Sequence, residues 1–225
     1  MSLNVDNIWV WNIFGVEVWI TETIVNSWII MAVLIALAIF IRIKMRKFKE
    51  IPTGFQNLVE AGIEMFHNFA KNTLGEKLLY ISPWFFAIFV FILSSSLFSI
   101  FGLRAPTADF ATTGAFAIAT FVLMIVLGTR HKKGAYIKSY FEPHFIFFPL
   151  NLIGELAKPV SLSFRLFGNM LSGTIILTLY YSLTPIFVQI GIPAFFHAFF
   201  DVFFGAIQTY IFVIISQMYV KTAAD

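Results

Sequence analysis

Cysteine is absent from the 225 residues, which excludes disulfides, thiolate metal sites and thiol catalysis. Charge is scarce as well: 12% of the residues are charged and 59% hydrophobic, where soluble domains run at about a quarter charged. At a mean hydropathy of +0.86, a water-soluble fold would leave much of this apolar surface uncovered. The composition therefore points to an all-α membrane protein with several spans. The net charge of +3 is small, and its basic residues cluster beside apolar runs, so it speaks for membrane topology rather than a nucleic-acid partner. The 29 phenylalanines supply lipid-facing bulk and no chemistry. No soluble domain, internal repeat or low-complexity linker interrupts the pattern, and residues 1–225 read as one membrane domain.

Residues 1–26 carry Trp9, Trp11, Trp19, Asp6, Glu17 and Glu22 but no Lys or Arg, so the basic region of a signal peptide is missing. They read as an external, uncleaved interfacial lead-in whose tryptophans suit the headgroup belt. The first span, 27–43, ends in Arg42, Lys44, Arg46, Lys47 and Lys49. The positive-inside rule makes that end cytoplasmic and the N-terminus external. Residues 51–80 mix Leu58, Val59, Ile63, Phe66 and Phe69 with Glu60, Glu64, His67, Asn68 and Lys71, which reads as an amphipathic helix on the cytoplasmic side.

A second span covers 83–103, with Ser94, Ser95 and Ser96 at its middle as packing residues. An outer loop with Arg104, Pro106 and Asp109 follows; Asp109 is placed to cap the next helix. The third span, 111–129, returns to a second basic cluster of Arg130, His131, Lys132, Lys133 and Lys138, so two clusters give one topology and leave the C-terminus cytoplasmic. Two unusual segments remain, 145–183 and 193–220. As helices they would be about 60 Å and about 40 Å long, against a hydrocarbon core of about 30 Å. They must tilt strongly, kink at Pro149 or Pro159, or lie partly along the membrane.

At about 100° per residue, the first long segment gathers its polar residues on one side. Relative to Arg165, Ser161, Asn169 and Asn151 fall about 40° away, Lys158 and Ser172 about 20°, and Glu155 about 80°. Leu152, Ile153, Leu156, Leu162, Phe164, Leu166 and Phe167 occupy the rest, and Pro159 softens the arithmetic across it. The last segment repeats the pattern about Asp201, with His197 and Gly205 about 40° off, Gln208 about 20° and Ser216 about 60°. Unsatisfied polar groups cost several kcal/mol each in lipid, so these stripes must meet each other or water. A central arginine costs from about 2.5 to well over 10 kcal/mol depending on the scale. Arginine also keeps its proton, which suits a permanent positive charge, whereas Asp201 and Glu155 can take up or release one. Gly168, Ser172 and Gly173, with Ala194, Ala198, Gly205 and Ala206, allow close approach of another helix.

The run Lys158-Pro159-Val160-Ser161-Leu162-Ser163-Phe164-Arg165-Leu166-Phe167-Gly168-Asn169-Met170 resembles the signature helix of the a-subunit family of the F-type ATP synthase membrane sector. Phe141-Glu142-Pro143, Pro149-Leu150-Asn151-Leu152 and Pro106-Thr107-Ala108-Asp109 extend the likeness, and Gln208 stands where that family carries a glutamine beside its arginine. The resemblance implies a non-catalytic stator beside a c-subunit ring, joined to b subunits of a peripheral stalk and the other synthase subunits, with two offset ion half-channels. It implies that Arg165 faces ring carboxylates, that Gln208 hydrogen-bonds and positions it, and that Asn169 and Ser161 line its surroundings. The sequence departs from the family at Thr174, where many relatives carry a carboxylate or histidine. Asp201 stands where relatives show histidine or glutamate, so Asp201, with His197, is expected to serve the outer half-channel, and Glu155, Asn151 and Lys158 the inner one. A bacterial plasma membrane is the expected location, and no cofactor is expected.

Plainer readings stand beside these. Arg165 could close a structural pair with Asp201 or Glu155, and Asp201 could be a helix-to-helix hydrogen-bond partner. His197 could be a satisfied interior histidine, and Glu155 with Lys158 an i, i+3 pair with no other role. Glu142, His144 and His131 read as solvated loop residues, and no spacing of His, Asp and Glu suggests a metal site. A secondary ion-coupled transporter is the alternative function, although it would show paired repeats; an intramembrane hydrolase lacks any nucleophile constellation.

Overall fold

The computed structural model describes residues 7–13, 16–101, 103–142, 144–185 and 191–225; Asp6 and Pro143 lie outside them. Five helical segments are long and apolar enough to cross a membrane: Glu22–Met45, Glu76–Phe101, Phe110–Lys132, Phe145–Leu183 and Phe195–Ala224. The chain is an all-helical membrane protein in its spanning part. Its lead-in is built otherwise. Strands β1 (Asn7–Ile13) and β2 (Val16–Thr21) pair antiparallel, with Trp11 opposite Val18 and Ile13 opposite Val16. Strands go beyond the interfacial lead-in expected here, yet the alternating β-branched and aromatic residues are those that a pleated surface favours.

Helix α1 (Glu22–Met45) stands at the side of the bundle, and only Thr23, Asn26 and Ile30 of it are buried. Its N-terminal end is tied down where Asn26 Nδ2 donates to the Arg104 carbonyl at 3.0 Å. Helix α2 (Phe55–Leu74) buries Gln56, Phe66, Ala70 and Leu74. It docks on the bundle, with the Phe69 ring 5.3 Å from that of Tyr210 and Phe66 set among Phe69, Phe86 and Phe89. A 3-10 stretch, Glu76–Ile81, then leads into α3 (Ser82–Phe98), so the expected amphipathic segment ends at Leu74 and its last residues belong to the next span. Ser95 of α3 hydrogen-bonds Thr107 of the following loop at 3.1 Å. Asp109 caps α4 (Phe110–Lys132) by accepting from the Ala111 amide.

After a short α5 (Gly134–Ser139), α6 (Phe148–Leu183) runs for 36 residues with Pro149 in its first turn and Pro159 inside it. Pro159 removes one rung, the bond to the Glu155 carbonyl, yet the helix continues. Its length of about 54 Å obliges it to incline in a bilayer. The last span opens with α7 (Ile192–His197), passes through a π-helical segment (Ala198–Phe204) and ends as α8 (Gly205–Ala224). Helix α8 is the centre of the bundle, touching α2, α3, α4 and α6. Gly205 makes that closeness possible, since a Cβ there would lie 2.6 Å from Ser96 Cβ.

Candidate functional site

Three polar levels lie along the antiparallel α6 and α8. At the middle one, Asn169 Nδ2 donates to Gln208 Oε1 at 2.6 Å. Gln208 is 3% exposed, and its Nε2 has no partner. Four residues before Asn169 stands Arg165, half-buried. Among the described residues no ion pair, hydrogen bond or ring contact engages Arg165, which excludes the pair with Asp201 or Glu155 within the chain. Among the described residues no hydrogen bond joins Gln208 to Arg165 either; the Gln208 amide oxygen accepts from Asn169. The stripe around the guanidinium is open: Ser161, Asn169 and Ser172 are exposed, and a Cβ on Gly168 would meet nothing within 4 Å. By contrast Gly173, on the covered side, faces Phe200 at 3.3 Å.

The second level is about 10 Å along the axis from Gln208, seven residues back. Asp201 lies there in the π segment, 7% exposed. His197 Nδ1 is 2.5 Å from Asp201 Oδ2, and His197 Nε2 is 3.3 Å from the Tyr181 hydroxyl of α6. Ser99, buried at the end of α3, is a further hydrogen-bonding neighbour of the carboxyl. A string of four side chains thus runs from exposed Tyr181 through His197 and Asp201 to buried Ser99. Sequence spacing finds the His197–Asp201 step, four residues apart on one helix. It gives no sign of Tyr181 or Ser99, which arrive through tertiary packing. Thr174 stays outside the string and donates to the Met170 carbonyl at 3.0 Å.

The third level lies about 15 Å from Arg165 toward the start of α6. Lys158 Nζ meets Glu155 Oε1 at 2.5 Å and sits 5.5 Å above the Tyr219 ring of α8. Glu155 Oε2 is buried with no partner. Asn151 donates to the carbonyls of Tyr140 and Glu142 at 3.0 and 3.1 Å, so it pins the preceding loop to α6. A largely polar cavity of about 410 Å³ opens here, lined by Tyr136, Tyr140, Glu142, Asn151, Glu155 and Lys158 among others. Glu155 and Lys158 do form the local pair that their spacing allows. The free carboxylate oxygen faces more than that pair.

Comparison with known proteins bears on what such an arrangement serves. The family described as ATP synthase A chain matches residues 24–221. A protein named ATP synthase subunit a from Moorella thermoacetica is 37% identical over 204 residues, covering 89% of this chain and 89% of its own length. ATP synthase subunit a 2 of a Picosynechococcus species is 32% identical over 208 residues, 91% of this chain and 86% of its own length. ATP synthase subunit a 1 of Syntrophotalea carbinolica is 31% identical over 207 residues, at 90% and 85% coverage.

Proposed function

The chain belongs to the ATP synthase A chain family, and on that premise we propose that it is the stator of a rotary ATP synthase, forming two offset ion half-channels beside a ring of c subunits. ATP chemistry takes place elsewhere in the complex, and this membrane-sector subunit translocates ions. The unpartnered guanidinium of Arg165 carries the reading. A permanent charge at the middle of a membrane-length helix is costly alone, and no acid of its own chain is spent on it. A carboxylate brought by a neighbouring ring would neutralise it across the open stripe of Ser161, Gly168 and Asn169.

The charge then decides the direction of exchange. A ring carboxyl facing lipid carries its ion; as it nears Arg165, the positive field favours the ionised form and the ion leaves. The same field repels cations that would otherwise leak between the two half-channels. Asp201 with His197 serves the outer half-channel, and Glu155, Lys158 and Asn151 the inner one. Their displacement to opposite sides of Arg165, about 16 Å and about 15 Å along the helices, supports that division. Gln208 and Asn169 set where the turn bearing Arg165 stands against α8.

The basic clusters at Arg42–Lys49 and Arg130–Lys138 favour an external N-terminus and a cytoplasmic C-terminus in a bacterial plasma membrane. The b subunits of a peripheral stalk and the other synthase subunits are the remaining partners. In the assembled complex, Arg165→Ala is expected to abolish ion-driven ATP synthesis while the detached catalytic head still hydrolyses ATP. Normal synthesis by that variant would end this reading.

A further inference from the structure

The cavity at the start of α6 contains two phenols that the half-channel assignment leaves unused. Tyr136, 7% exposed, presses its ring against α4 where Gly128 leaves room; a Cβ on Gly128 would lie 2.5 Å from that ring. Tyr140, one turn on, is half-buried and stacks edge-on at 5.3 Å. Its hydroxyl donates to the Tyr136 hydroxyl at 2.8 Å.

The donor count leaves one proton over. Tyr136 accepts from Tyr140, so its own O–H is available, and among the described residues no acceptor takes it. Glu155 lines the same cavity, and its buried Oε2 is an acceptor without a donor. Burial first holds both phenols above their ordinary range; for Tyr140 the bond it donates to Tyr136 comes next, and the Glu155 charge adds a smaller push to both, so they stay protonated and neutral. Lys158 and Glu142 are the other charged groups on the cavity wall, and Lys158 is already matched to Glu155.

We propose that the Tyr136 and Tyr140 hydroxyls form a hydrogen-bonded bridge that passes protons between the cytoplasmic loop at 139–142 and Glu155. The inference rests on the half-channel reading above and names proton as the ion. Inward passage balances at each step. Tyr140 Oη gains a proton from water and gives its own to Tyr136 Oη, which gives its own to the Glu155 carboxylate; each phenol forms one O–H bond and breaks one. Outward passage is the reverse, and hydroxyl rotation resets the pair. Asn151 keeps the bridge in place by holding the Tyr140 and Glu142 carbonyls.

The test uses membrane vesicles with the assembled complex, the catalytic head stripped, and passive proton flux driven by a potassium diffusion potential. Tyr136→Phe and Tyr140→Phe keep the rings and remove the hydroxyls. Each is expected to lower proton conductance about ten-fold, the upper end of what one hydrogen bond is worth. The double variant should fall no further, because the two hydroxyls act in series. Ser139→Ala, whose hydroxyl is spent on the Tyr136 carbonyl at 2.7 Å, should conduct normally; an equal loss there would mean that any change in the cavity suffices and would overturn the bridge. Wild-type conductance in both phenylalanine variants would overturn it too, as would synthesis driven by sodium without proton flux. Should Tyr136→Phe fail to assemble, Tyr140→Phe decides alone. Arg165→Ala in parallel separates the two levels: normal phenylalanine variants with synthesis lost in Arg165→Ala reject only the bridge, whereas normal synthesis in Arg165→Ala rejects the half-channels beneath it.

Discussion

Among the described residues, the Asn169–Gln208 hydrogen bond is the one side-chain hydrogen bond between the turn that bears Arg165 and α8, and the effect of its removal follows from the structure. Gln208 is 3% exposed, with Nε2 unpartnered and Oε1 held by Asn169 at 2.6 Å. Asn169→Leu therefore strands a whole buried amide, at about 1–3 kcal/mol for the orphaned group. Gln208→Leu strands less, because Asn169 is exposed and finds other partners. The double variant replaces both with apolar groups and should recover much of the loss. Couplings of this kind between membrane helices average about 0.6 and reach about 1.7 kcal/mol. With no second partner for Gln208, the expected coupling is in the upper half, about 1–1.7 kcal/mol. Denaturant titration of the four proteins in mixed micelles measures it. Additivity within about 0.3 kcal/mol would refute the claim that this bond fixes the two helices against each other.

Asp201→Asn is expected to slow ATP synthesis in the assembled complex more than Glu155→Gln, because Asp201 is the more enclosed and is met by His197 and Ser99; equal or reversed effects in a synthesis assay would reject the channel assignment. Gly205→Ala should destabilise the bundle by about 1–3 kcal/mol through overpacking against Ser96, read as a lower melting temperature. Adding Ser96→Gly should restore it, and a Gly205→Ala variant that melts like the parent would show that the helices yield at that contact.

Much of the architecture is legible because helices of membrane length announce themselves by hydropathy alone. Angular arithmetic holds on α6, where one unbroken helix, even through Pro159, carries Ser161, Arg165, Asn169 and Ser172 along one open side. It does not hold across Ala198–Phe204. There i to i+5 bonding widens the turns, so Asp201 and Gln208, computed to share a face, reach different neighbours: Asp201 is met by His197 and Ser99, Gln208 by Asn169. Phenylalanines crowd that stretch, and nothing in their spacing signals the change of helix type. The hairpin is the opposite case, since the alternation that favours it is present in the sequence itself. Tyr181 and Ser99 are illegible for another reason, since each gains its partner through the packing of separate segments; Tyr136 and Tyr140 pair at a spacing of four residues.

What distinguishes Arg165 is the matching of the other charges around it. Lys158 has Glu155, and Asp201 has His197, so the acids that could have neutralised the guanidinium are engaged at their own levels, about 15 Å and about 16 Å away along the helices. A bundle arranged for stability alone would bring one of them to the arginine, because removing a partner from a buried charge costs about 3–5 kcal/mol. That the sequence keeps them apart, and clears a strip of serine, glycine and asparagine beside the charge instead, is intelligible if the neutralising acid comes from outside the chain and must be free to leave.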